Sequence, residues 1–530
     1  MQLPFSTRWL LPLALFLGLA LRVPGWFTQD MKDDWVTFEP DEGQHVHIAI
    51  TRYNDLQSGP DIGDYKNPPW NVRGYGHLMA YVAYGWYSLA DRPPGYHDFI
   101  LLGRQLSTVF SLLLIVVVWA MGRASGLSPP MAGVAALLMA ACDVNATYSH
   151  YCLPASGYIF WSYLAVLGSI RFARSAADDK RDIVSLLLLA LGTAGAMAFK
   201  FDVLPFAWGG LFLLYLAITR RISWWYVVLG IALVAGFIAS FVYGWSWNNI
   251  QSTFRTLSKL NREGVPVDDH FRDNLIVYPA GVIAGIGLPV FGLALYGLRK
   301  LFRGGDAGAN EETEKQGWAK PRRWLLLYLF GWLATEFLVR WSVDTAFIRR
   351  VNIFMPAVCL LAAYGLQWFK NRPWLPAAVL AYTLAFAVVG QSNHWFDSRY
   401  AMREFVNNEL PADAKVAVSG YVQHKNLRRT RFFMDIDWDY AILHETYFSR
   451  YYKSMTTPFG LPACCEEVYN CNKVEECELM QQLLTGQADD ARLLRAFRPR
   501  NIFPERVLYA HFFGNFETFL GQTLVYERVR

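Results

Sequence analysis

The chain is 530 residues long, with 54% hydrophobic, 16% aromatic and 18% charged residues, twenty Trp and a mean hydropathy of +0.17. Soluble chains carry about 25% charge, and this one is too apolar for disorder and too aromatic for a coiled coil. It reads as a mainly α, polytopic membrane protein. The net charge of +5 and pI near 8.7 fall short of the basic footprint of a nucleic-acid binder, so no nucleic-acid partner is expected.

Apolar runs near the ~20 residues that cross a bilayer recur at about 10–23, 101–121, 128–142, 153–170, 183–200, 202–219, 224–245, 274–298, 324–341, 351–369 and 374–391, eleven in all. Arg8 precedes the first, but Arg22-Val23-Pro24-Gly25-Trp26 is no small-x-small cleavage site, so that run is kept as a membrane helix. Lys and Arg gather in alternate connections: Arg123; Arg171, Arg174 and Lys180; Arg220 and Arg221; Arg299 to Arg323; Lys370 and Arg372. Positive-inside counting puts those connections and the N-terminus in the cytoplasm, and eleven spans then put the C-terminus outside. A bacterial inner membrane with a periplasmic tail is the expected setting.

The cysteines bear on the same question. Cys142, Cys152 and Cys359 lie in or beside apolar runs, where a thiol fills core space. Cys464, Cys465, Cys471 and Cys477 cluster in an acidic, loop-like stretch of the tail. Adjacent cysteines do not give the paired spacing of a zinc site, whereas two disulfides suit an oxidising compartment.

The chain divides into a membrane region, 1–391, with a long first outer loop at about 27–100, and a soluble region, 392–530, with charge in soluble proportion. In the latter, Glu404–Leu410 reads as a helix end, Pro411-Ala412-Asp413 as a turn and Lys415–Val418 as a strand, which predicts a small α/β domain.

Charged groups at membrane depth are costly and usually functional. The first outer loop holds Pro40-Asp41-Glu42, opening an amphipathic helix that carries His45 and His47. This is not a zinc-protease spacing. Should a divalent ion, Mg or Mn, assist, His45 is the candidate ligand. The same loop continues through Lys66, Pro68-Pro69 and Arg73 into an aromatic helix from Tyr75 to Tyr87. Further polar groups mark outer span ends: Asp143, Tyr148 and His150 before the fourth run, Lys200 after the fifth, and Arg350 at the tenth. Basic residues from separate turns on one face, with an acidic loop beside them, predict a phosphate-binding cavity near a carboxylate. Asp143, Tyr148 and His150 are candidate substrate-binding residues. No Walker phosphate loop, nucleophile elbow or dinucleotide fingerprint is present.

With these residues in order, the chain resembles the GT-C class of integral-membrane glycosyltransferases, in the family of protein O-mannosyltransferases and the lipid A aminoarabinose transferase. The matching pieces are Pro40-Asp41-Glu42, Pro68-Pro69, Gly103-Arg104-Gln105-Leu106-Ser107, Met121-Gly122-Arg123, Ser149-His150-Tyr151, Lys200, Arg350 before Pro356, and the helix–strand segment Arg403–Val418. Two features depart from the pattern: Asn67 separates Lys66 from Pro68-Pro69, and Pro154-Ala155-Ser156 lacks an acid found in many members.

The resemblance implies inverting transfer of a hexosyl or pentosyl group from a polyprenyl-phosphate carrier to an extracytoplasmic lipid, polysaccharide or protein. Asp41 is then the base with Glu42 beside it, and Lys66, Arg73, Lys200 and Arg350 hold the donor phosphate. The rival class is a transporter or flippase for a lipid-linked glycan, which expects charges deep within spans, as at Glu336 and Arg340.

Overall fold

The computed structural model describes residues 7–27, 42–58, 73–88, 93–177, 182–199, 204–219, 222–241, 270–302, 333–334, 351–369, 371–372, 374–420, 422, 430–432, 436–451, 474–513 and 520–529. Asp41, Lys66, Lys200, Arg350, Glu336, Arg340, Cys464, Cys465 and Cys471 lie outside them; Arg73 and Cys477 are described as backbone positions only.

Among the described residues the fold is mostly helical with one small sheet. The helices in chain order are α1 (Leu10–Arg22), α2 (Pro24–Phe27), α3 (Glu42–Ser58), α4 (Arg73–Tyr87), α5 (Tyr96–Ala124), α6 (Pro129–Ala140), α7 (Asp143–Ser149), α8 (Ala155–Ala177), α9 (Ile183–Phe199), α10 (Leu204–Ile218), α11 (Trp224–Phe241), α12 (His270–Ile286), α13 (Leu288–Phe302), α14 (Met355–Leu366) and α15 (Trp374–Trp395). The tail adds α16 (Ser398–Asn408), β1 (Val416–Val418), β2 (Thr430–Phe432), β3 (Tyr440–His444), α17 (Glu445–Tyr451), α18 (Val474–Thr485), β4 (Ala491–Phe497), α19 (Pro504–Phe513) and β5 (Thr523–Arg528).

α6 is apolar all round and buried from Met131 to Ala140, so it forms the centre of the bundle. Around it, small residues let helices approach closely. A Cβ on Gly168 or Gly192 would strike the facing backbone across the α8–α9 contact, and one on Gly297 or Gly365 would do so between α13 and α14. The outside of the bundle is apolar too: Phe16 is 67% and Trp225 77% exposed, with Leu211, Ile218, Val228 and Ile231 also bare. A patch of that kind is stable against lipid and not against water.

Within the described residues, α5 and the run Trp374–Asn408 are long and apolar enough to cross a membrane singly, and two bent helix pairs bring that number to four. One expected span is therefore not straight: the 274–298 run turns by 116° at Gly287. The third run ends where the chain bends by 54° into α7, which lies beyond its expected limit at 142. Gly287 adopts φ +92°, a left-handed conformation that a side chain resists. Hydropathy averages over such a break because both of its arms are apolar. The other apolar helices are shorter, and α15 continues to Trp395, past the expected boundary at 391.

In the tail, the sheet order is β2-β1-β3-β5-β4, with β1 parallel to both neighbours and β5 antiparallel to β3 and β4. Side chains alternate across it. Val416, Val418, Ile442 and Val525 pack under Met402 and Phe405 of α16. Ala417, Ala441, Leu443 and Leu524 pack on the other face against Phe448, Met480 and Leu483. Both faces are covered, which explains why the Val416-Ala417-Val418 strand is apolar throughout.

Candidate functional site

α3 begins at Glu42, one residue after Asp41, and Glu42 is wholly buried. Its carboxylate takes a forked pair of hydrogen bonds from Arg104 of α5, Nε to Oε1 at 3.0 Å and Nη2 to Oε2 at 2.9 Å. A third comes from the Cys152 backbone N–H to Oε1 at 2.7 Å. Arg104 is equally buried. A planar guanidinium matches a carboxylate in this geometry better than any other cation does. The acidic loop is thereby fixed at its helical end to α5 and to the turn before α8.

Tyr75, near the start of α4, joins the next pieces. Its ring stands edge-on to His45 of α3 at 5.7 Å and to Phe199 of α9 at 5.6 Å. Its hydroxyl donates to the Gly103 carbonyl at 2.5 Å and lies 2.8 Å from Ser107 Oγ. The adjoining Gly74 abuts the Ala198 carbonyl so closely that a Cβ has no room. The start of α4, which carries Arg73, is thus seated on the end of α9, and Phe199 is followed in sequence by Lys200. His45 is buried against Tyr75, and among the described residues no three His, Cys, Asp or Glu side chains come together as a cation cage.

The sequence from Asp143 to Ser149 is not an open connection but a helix, α7, that prolongs α6 after the bend. Asp143 Oδ1 accepts from Gln391 Nε2 at 2.8 Å, and its Oδ2 pairs with Arg506 Nη2 at 2.6 Å. The same Gln391 amide donates to Thr147 Oγ1 at 3.1 Å, and its Oε1 lies 2.6 Å from His150 Nε2. His150 stacks on His394 at 4.5 Å, and Tyr148 meets Tyr151 edge-on at 6.2 Å. Tyr148 and His150 are buried, so these candidate substrate residues face protein in this conformation.

Arg506 belongs to α19 of the tail. It also donates to the Phe386 carbonyl at 2.9 Å and lies 4.0 Å over the Phe386 ring. Burial lowers the Arg506 guanidinium from its ordinary value, and the Asp143 carboxylate opposes that. A small cavity of about 60 Å³ opens here, lined by Asp143, Thr147, Gly390, Asn393 and Arg506 among others. It has room for water.

Sequence reading missed four members of this constellation. Arg104 lay inside a quoted motif, yet nothing local marked it as the partner of Glu42. Arg22 is buried at the end of α1 and donates to Ser111 Oγ, the Gly18 and Ala140 carbonyls and Asn145 Oδ1, while Asn145 donates to Asn352. Its signal was a cation at the end of an apolar run. Gln391 and Arg506 carried no signal at all.

No family model and no curated protein matches the chain. Among solved structures it is similar to ArnT from Cupriavidus metallidurans bound to undecaprenyl phosphate, with 14% identity and a TM-score of 0.48 over 86% of this chain and 97% of that one. It is also similar to the archaeal oligosaccharyltransferase AglB from Archaeoglobus fulgidus in complex with an inhibitory peptide and a dolichol-phosphate, with 11% identity and a TM-score of 0.45 over 98% and 88%. A third likeness is to the S. cerevisiae protein O-mannosyltransferase Pmt1-Pmt2 complex bound to the sugar donor, with 16% identity and a TM-score of 0.34 over 48% and 35%.

Proposed function

We propose that this chain is a membrane glycosyltransferase that moves a sugar from a polyprenyl-phosphate carrier to an acceptor on the extracytoplasmic side, with inversion. The observation that carries the reading is the meeting of three chain segments around Tyr75. They are the start of α3 after Asp41, the start of α4 at Arg73 and the end of α9 before Lys200. In this reading the eleven apolar runs are spans, the N-terminus is cytoplasmic and the tail is periplasmic.

The chemistry follows from the leaving group. Asp41 takes the proton of the acceptor hydroxyl as its oxygen bonds to the anomeric carbon, and the carbon–oxygen bond to the lipid phosphate breaks on the opposite face. The departing phosphate is already acidic and needs no general acid. It needs positive charge, which Lys66, Arg73, Lys200 and Arg350 supply to its oxygens. Glu42 holds the loop in place through Arg104, since all its described contacts are structural. Carrying the sugar on a prenyl tail lets the lipid remain in the bilayer while the reacting carbon faces water.

The test is sugar transfer or donor hydrolysis by purified protein in lipid nanodiscs, over a panel of polyprenyl-phosphate sugars, for wild type and Asp41→Asn. Loss of turnover by about 10²-fold or more with donor binding retained supports Asp41 as base. Equal turnover in both removes Asp41 from the chemistry. Carrier-linked glycan moved across sealed vesicles without transfer replaces the enzyme by a flippase.

A further inference from the structure

Between the tail domain and the acidic loop runs a chain of polar contacts, joined at one point by the short backbone stretch from His150 to Cys152. It begins at Arg506, which enters the bundle between α7 and α15 and pairs with Asp143 at 2.6 Å. Gln391 takes up the contact, bonding Asp143 at one end of α7 and meeting Thr147 and His150 at the other. Two residues beyond His150, the Cys152 N–H donates to Glu42 at 2.7 Å, and Glu42 is locked to Arg104. Gln391 and Glu42 are fully buried and His150 nearly so, so water does not compete for these contacts.

The entry point is also shaped for one side chain. Gly390 faces Arg506, and a Cβ there would collide with Asp143 Oδ1 and with both Arg506 Nη atoms. Neighbouring groups hold the tail at the same place. Glu505 Oε1 accepts from Tyr382 at 2.5 Å and from the Leu288 N–H, at the Gly287 bend, at 3.2 Å. Asn393 both accepts from the Arg500 N–H at 2.6 Å and donates to its carbonyl at 3.0 Å. Phe503 packs 5.0 Å from Phe386. A tail that merely tethered itself to the membrane region would need only the apolar part of this contact. Instead its buried cation Arg506 meets the helix that leads to the Glu42 contact.

We propose that the tail domain sets the geometry of the acidic loop through Arg506, a positioning residue that acts by way of Asp143, Gln391 and His150 on the Cys152–Glu42 contact. Its expected effect on turnover rests on the reading of Asp41 as base; its effect on the start of α3 does not.

The experiment is hydrogen exchange on the full-length protein in nanodiscs, following peptides over 42–58, 143–153 and 504–513, with donor kinetics on the same samples. The variants are Arg506→Gln, Arg506→Lys and Gly390→Ala. Arg495→Gln, which breaks an exposed tail pair with Glu409, is the control. Losing a buried charge-assisted contact should raise exchange of the Cys152 amide and the first turn of α3 by about 10-fold or more in Arg506→Gln and Gly390→Ala. Arg506→Lys should recover part of that, and the control should match wild type. Turnover should fall by about 10-fold or more while the donor KM moves by less than about two-fold, because misplacement acts on the reacting geometry.

Faster exchange in 504–513 with no change in 42–58 overturns the proposal, whatever happens to activity. Faster exchange in 42–58 with undiminished turnover upholds the positioning contact and overturns Asp41 as base. Should Arg506→Gln fail to fold, Gly390→Ala and Arg506→Lys decide the matter by the same two readouts.

Discussion

Replacing Glu42 by Gln tests whether the buried ion pair, and not simple packing, anchors the acidic loop. Both side chains of the Glu42–Arg104 pair are without solvent exposure. Breaking such a pair from one side costs about 3–5 kcal/mol, since it leaves an uncompensated buried charge. Gln keeps a carbonyl oxygen for the Cys152 N–H and for one Arg104 donor, so Glu42→Gln should fall near the lower end, about 3 kcal/mol. Arg104→Met leaves the carboxylate with the Cys152 N–H out of the three bonds described here, and belongs near the upper end, about 5 kcal/mol. The double variant removes both charges together. It should cost less than the sum of the singles by about 2–3 kcal/mol. Denaturant titration in mixed micelles, with the four proteins compared as a cycle, gives each number. Single-variant costs below about 1 kcal/mol, or costs that simply add, would refute the argument.

Three further expectations are independent of that one. His444, buried at the end of β3, accepts from the Thr446 N–H at 3.2 Å, and burial holds its pKa well below the usual histidine value. The unfolded tail therefore binds the extra proton first. Tail stability should be flat above about pH 6.5 and fall by at most about 1.4 kcal/mol per pH unit below it. His444→Asn keeps an acceptor and should flatten that dependence in hydrogen exchange of β3 and α17, corrected for intrinsic rates; equal slopes would show that another group is responsible. A Cβ on Gly103 would overlap Cys152 Sγ and come within 2.8 Å of Met79 Sδ, whereas one on Gly85 of α4 meets nothing within 4 Å. Gly103→Ala should thus lose about 1–3 kcal/mol by overpacking, while Gly85→Ala gains about 0.5–1 kcal/mol. Thermal unfolding of the pair in the same detergent checks the difference in sign. Finally, intact mass after thiol blocking, with and without reduction, should show Cys464, Cys465, Cys471 and Cys477 protected in two disulfides, with Cys142, Cys152 and Cys359 free; four alkylated tail thiols would contradict it.

Much of the architecture was legible because its causes are local. An apolar run fixes a helix whatever it packs against, which is why α1, α9, α11 and α15 fall where hydropathy puts them. Val416-Ala417-Val418 was readable as a strand from its residue types. Pro40-Asp41-Glu42 announced the start of a helix by its own chemistry, and α3 begins at Glu42. The bend at Gly287 was hidden, since a change of axis leaves hydrophobicity untouched. The roles of charged residues were hidden for a different reason. Whether Glu42 is free or locked depends on Arg104, and whether Asp143 faces a substrate or the tail depends on Arg506; each partner sits far away in the chain. Sequence determines which groups are available. Only the tertiary structure decides which of them neutralise one another, because Coulomb and hydrogen-bond energies depend on separations of a few ångströms that no local pattern encodes.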